Sequence, residues 1–134
     1  MNAPATWMLA WADSEVRSVE ALSGGLRIHF SAAQACPVRD GQVLRSEAGY
    51  ARAVALVFIG ARWDGALAGC IGRLSEGRLQ IDGRWQSQLA LPSAVDVPVQ
   101  AELRFGNGTP LVVTAQALRC DWVAGPDFAE SYAC

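Results

Sequence analysis

Residues 22–31 read LSGGLRIHFS, and the second half of this stretch decides the fold. Leu26, Ile28 and Phe30 alternate with Arg27, His29 and Ser31, the two-residue period of a strand with one face in a core and the other in water. Ser23-Gly24-Gly25 supplies a turn back to a strand around Val16 to Leu22, so a first hairpin is expected here.

The same period recurs along the chain. Val97, Val99, Ala101, Leu103 and Phe105 alternate with polar residues, and Gly106-Asn107-Gly108 leads into Leu111 to Leu118, which predicts another hairpin. Between these lies Ala53 to Trp63, strongly apolar, followed by Asp64-Gly65 and then Ala66 to Leu74. Asp-Gly is a hairpin-turn dipeptide, so this segment is read as a hairpin in which Ala61 faces Ala68, Ile59 faces Cys70, Val57 faces Gly72 and Ala55 faces Leu74. Ser75-Glu76-Gly77 is read as a turn, Asp82-Gly83 as a bulge in a long strand ending at Pro92, and Cys36 to Gly49 as the longest loop.

With no helix-length period between strands, residues 1–134 are expected to form a single all-β domain. It is read as an antiparallel meander of seven to eight strands, closed as a barrel or folded as a sandwich. Short helical segments are expected at the termini, because Trp7 and Trp11, and Phe128 and Tyr132, stand one helical turn apart. A chain of 134 residues, 51% hydrophobic and 18% charged, has the composition of a folded globular domain rather than a disordered one.

The net charge of -2 and eleven basic residues, all arginine and spread singly from Arg17 to Arg119, argue against a nucleic-acid partner. No apolar run has transmembrane length, so no membrane partner is expected. The apolar stretch Ala3 to Ala12 lacks a basic flank and an A-x-A cleavage pattern, and Asp13 and Glu15 follow it. A cytoplasmic location is therefore expected, with Cys36, Cys70, Cys120 and Cys134 as free thiols. Those cysteines contain no CxxC pair, and His29 is the only histidine, so no metal site or other cofactor is expected.

His29 shows no partnering nucleophile motif, and no catalytic residue is assigned. The acids mostly flank glycines, where turn chemistry accounts for them. Both faces of the 53–74 segment are mostly apolar, and an antiparallel sheet normally leaves one face wet. Ala55, Val57, Ile59, Ala61, Ala68 and Cys70 are accordingly the candidate interface of a non-catalytic interaction module, one that forms a homo-oligomer or meets another protein. The alternative is a barrel that binds a small apolar ligand, with Trp63 and Trp85 lining its interior. A further alternative is an enzyme using His29 with an acid.

Overall fold

A computed structural model describes residues 6–91, 94–121 and 128–130. Fourteen strands make up nearly all of it: β1 (Thr6–Leu22), β2 (Gly25–Arg39), β3 (Gln42–Val43), β4 (Gly49–Ala51), β5 (Val54–Ile59), β6 (Arg62–Asp64) and β7 (Gly72–Ile81), then β8 (Arg84–Gln86), β9 (Gln88–Leu91), β10 (Ala94–Val95), β11 (Val99–Phe105), β12 (Pro110–Ala115), β13 (Ala117–Asp121) and β14 (Phe128–Glu130). Every ladder among them is antiparallel, and single 3-10 turns at Arg45–Glu47 and Leu67–Gly69 are the only helical pieces described. The main hydrogen-bonded path runs β10-β13-β5-β2-β1-β7-β11-β12-β6 and does not close on itself.

The expected first hairpin is present and far longer than alternation alone reveals, because β1 and β2 stay paired from Thr6↔Val38 to Leu22↔Gly25. Its length depends on irregularities that keep apolar residues inward. Between Ala10↔Gln34 and Glu15↔Ala32, β1 spends five steps against two on β2, and Ser14 closes the gap. The Ser14 hydroxyl donates to the Ala10 carbonyl at 2.6 Å and accepts the Gln34 backbone N–H at 2.9 Å, standing in for ladder bonds the bulge removes. Ser31 is the extra residue on β2 between Glu15↔Ala32 and Val16↔Phe30, and Arg17 the extra residue on β1 between Val16↔Phe30 and Ser18↔His29. Slipping the phase at Ser31 lets Leu26, Ile28 and Phe30 on one side of it and Ala33 and Ala35 on the other all enter the core.

Both ladders face one apolar cluster, with Leu26, Ile28, Leu56, Phe58 and Leu118 from the β2-β5-β13 side and Leu79, Ala101, Leu103, Phe105, Leu111 and Val113 from the β7-β11-β12 side. Each large side chain buried there contributes about 1.5–3 kcal/mol over its exposed state. Trp11, fully buried, lies between the ladders: its ring centroid is 6.3 Å from that of Phe30, and a methyl placed on Gly77 would meet its Cβ at 2.6 Å.

Several sequence expectations need correction. Trp7 and Trp11 lie in a strand rather than a helix, because β1 is paired to β2 and β9 there; Phe128 is in β14, and Tyr132 lies outside the described residues. Cys36 to Gly49 is mostly ordered backbone: β2 runs to Arg39, and β3, a 3-10 turn and β4 follow. Ser75-Glu76-Gly77 is the middle of β7 and not a turn.

The Asp-Gly dipeptides explain the largest difference. Asp82 and Gly83 both have positive φ, 50° and 80°, and link Ile81↔Arg84; Asp40 and Gly41, at 53° and 77°, link Arg39↔Gln42. Positive φ at both central residues is the two-residue hairpin turn. Asp82-Gly83 is thus a turn and not a bulge. Asp64-Gly65 is no such turn: Asp64 continues β6, and a methyl on Gly65 would meet the Pro110 carbonyl oxygen at 2.6 Å. Gly65 permits close approach to β12, so the 53–74 hairpin and its register do not form. β5 pairs instead with β2 and β13.

Candidate functional site

The outward face of β1, β2, β5 and β13 is built in cross-strand rows, since directly paired residues share a face. One row is Leu22, Gly25, Ile59 and Ala117; the next is Glu20, Arg27, Val57 and Arg119; a third is Ser18, His29, Ala55 and Asp121. The face therefore grades from apolar at the Ile59 end to charged at the His29 end. Ile59, 41% exposed, is a large hydrophobic residue in water, while Val57 is half-buried.

At the His29 end the surface dips into an open concavity of about 500 Å³ walled by Arg17, Arg27, His29, Ser31 and Arg52, with Ala53 and Ala55 among the apolar residues lining it. Local folding explains each placement. The β1 bulge re-aims Arg17. Arg27 and His29 alternate outward along β2, and Arg52 precedes Ala53, which holds an unusual φ of 58° between β4 and β5. Glu20 joins the group across the β1-β2 ladder: His29 Nε2 donates to Glu20 Oε1 at 2.8 Å, and Arg27 approaches the same oxygen at 3.5 Å. The hydrogen bond from His29, with help from the nearby Arg27 guanidinium, holds the Glu20 carboxyl below its ordinary range against the opposing effect of desolvation.

His29 thus has an acid partner that its sequence context does not reveal. A nucleophile is not delivered with it, because the Ser31 hydroxyl donates to Glu15 Oε1 at 2.6 Å. Among the described residues, no three of His, Cys, Asp and Glu are grouped to hold a metal, and no helix is long and apolar enough to cross a membrane.

A second concavity, about 380 Å³, lies on the outward face of β7, β11 and β12. Its charges are matched internally: Arg78 donates to Glu102 at 2.8 Å and Arg104 to Glu76 at 3.1 Å, each pair directly opposed in the ladder. The Arg78 guanidinium also lies 3.9 Å from the ring centroid of Trp85.

The two tryptophans expected to line an interior do not do so. Trp63 on the edge strand β6 is 37% exposed and Trp85 on β8 is 39% exposed, because short edge strands leave their side chains without a covering layer. The six candidate interface residues are also divided. Ala55, Val57 and Ile59 share the outward face of β5, with Ala55 nearly buried; Ala61 packs against the core, Ala68 is exposed on the 3-10 turn, and Cys70 is buried with its thiol donating to the Ala66 carbonyl. The Arg17, Arg27 and Arg52 cluster is not visible in the sequence, where these residues stand 10 and 25 positions apart. Comparison with protein-family models, curated proteins and solved structures finds no match.

Proposed function

We propose that the chain is a non-catalytic interaction module that pairs with a second copy of itself through the outward row of Leu22, Ile59 and Ala117. The observation that supports this is the exposure of Ile59 in a row with no charged side chain. A two-fold contact places such a row against its own copy. One row is small beside the roughly 800 Å² per partner of a standard interface, so the association is weak and concentration-dependent. The charged row beside it limits spread of the contact, because Arg27 is matched by Glu20 and Arg119 by Asp96.

Further elements of this proposal rest on the fold and the cysteines. The two ladders around one core are read as a flattened sandwich, with the bent β1-β2 hairpin serving both sides. A cytoplasmic location fits the free thiols of Cys36 and Cys70.

Sedimentation velocity over a concentration series tests the self-association. The weight-average mass is expected to rise with concentration, and Ile59→Glu, which places like charges across the two-fold contact, is expected to hold it at monomer. A concentration-independent monomer in the unaltered protein, or an Ile59→Glu variant that associates equally well, refutes the proposal.

A further inference from the structure

Six of the eleven arginines have an acid partner: Arg27 with Glu20, Arg39 with Glu47, Arg73 with Asp13, Arg78 with Glu102, Arg104 with Glu76 and Arg119 with Asp96. Arg17 and Arg52 make no side-chain hydrogen bond or ion pair among the described residues, and both face the one concavity that also holds Arg27 and His29. Three guanidiniums line the concavity, while Glu20 is bonded to its His29 wall, Glu15 accepts the Ser31 hydroxyl there, and Asp121 is paired with the lining residue Ala55 in the adjoining ladder. Of the three guanidiniums only Arg27 is matched to one of these acids, which leaves Arg17 and Arg52 as the unmatched pair at the concavity.

We infer that this concavity binds the phosphate group of a small phosphorylated molecule, gripped by Arg17 and Arg52 with Arg27 behind them. A guanidinium presents a planar fork of N–H donors that matches the oxygens of a phosphate, and a phosphate monoester carries about -1.5 to -2 charges near neutrality, enough to engage both unmatched guanidiniums. A monocarboxylate supplies one charge and two oxygens, leaving one of the two unmatched guanidiniums without a partner. A nucleic-acid strand is disfavoured because the cluster is short, is flanked by Glu15 and Glu20, and sits on a chain of net charge -2. Exposed Ala53 lines the same concavity and gives the organic part of the ligand an apolar surface to rest on. The site is independent of the self-association row, since mass and ligand binding are read separately.

Arginine side-chain NMR, following the Nε–H resonances at fixed ionic strength, tests the inference with inorganic phosphate, phenyl phosphate and acetate as probes. Saturable shifts are expected at Arg17 and Arg52 with both phosphates, tighter for phenyl phosphate, and with acetate weaker by about tenfold or more. Arg17→Gln and Arg52→Gln are each expected to weaken phosphate binding by about tenfold, while Arg84→Gln, on β8 away from the concavity, leaves it unchanged. Arg52→Lys, which keeps the charge and loses the fork, falls between. Shifts that stay linear, that appear equally at Arg84 and Arg62, or that acetate reproduces at the same concentration overturn the inference. Because the unaltered protein is itself titrated, a variant that fails to fold does not remove the test.

Discussion

Replacing Ser14 with alanine isolates the device that lets the longest hairpin of the fold bend. Ser14 is fully buried, the only polar or charged residue so placed among those described, and its hydroxyl serves the Ala10 carbonyl at 2.6 Å and the Gln34 N–H at 2.9 Å. Alanine fits the same space but leaves both backbone groups without that partner. A fully buried orphan costs about 1–3 kcal/mol, and Ala10 and Gln34 are themselves only half-buried, so water recovers part of each loss. The expected total is about 2 kcal/mol, equivalent to a fall in Tm of roughly 6–10 °C for a domain of this size. Urea denaturation followed by circular dichroism measures it, with an unchanged m-value showing that the cooperative unit is intact. The second readout is amide exchange at Gln34, which is expected to accelerate more than that of Ile28 in the regular part of the same ladder. A loss below about 0.5 kcal/mol with Gln34 exchange unchanged refutes the assignment of Ser14 as the closure of the bulge.

Gly77→Ala is expected to destabilise by about 1–3 kcal/mol in the same assay, since the new methyl meets Trp11 Cβ at 2.6 Å and Leu103 Cδ2 at 2.9 Å; a neutral result contradicts the packing of β7 on Trp11. Carboxyl NMR of Glu20 is expected to show a titration midpoint below the ordinary 4.5, moving back up in His29→Ala. The sign follows: a lowered carboxyl pKa means that the contribution of this pair to stability is present above the unfolded value and is lost as pH falls through the folded one. Alkylation of the native protein, mapped by mass spectrometry, is expected to label Cys120 before Cys36 and Cys70, because burial pushes both of the latter thiols up and shields them; early labelling of Cys70 contradicts its place in the core.

Strands with two unlike faces are legible in this sequence. Alternation at Leu26–Phe30 and at Val99–Phe105 identifies β2 and β11, and the glycine-rich turns beside them identify the partners β1 and β12. What is not legible is how a turn dipeptide is used. Asp40-Gly41, Asp64-Gly65 and Asp82-Gly83 carry the same signal, yet only the first and third adopt paired positive φ; the second is consumed by a backbone contact with Pro110, and that contact is long-range. Pairing β5 with β2 and β13 also explains its apolar run: Leu56 and Phe58 face the core, while Val57 and Ile59 face outward between Arg27, Arg119 and Ala117. The cationic concavity depends on two bulges and a left-handed alanine. None of these has a local signature, so only His29 and its neighbour Arg27 are visible beforehand as an outward pair.

The methyl resonance of Ile59 tests self-association most directly, because it reports the contact at the residue claimed to make it. Over a dilution series from millimolar to micromolar protein, the Ile59 δ1 methyl is expected to shift along a saturable curve, while the δ1 methyl of Ile71, 55% exposed but outside the row, stays fixed. An Ile59 methyl that does not respond to concentration, or an Ile71 methyl that moves with it, contradicts pairing through the Leu22, Ile59 and Ala117 row.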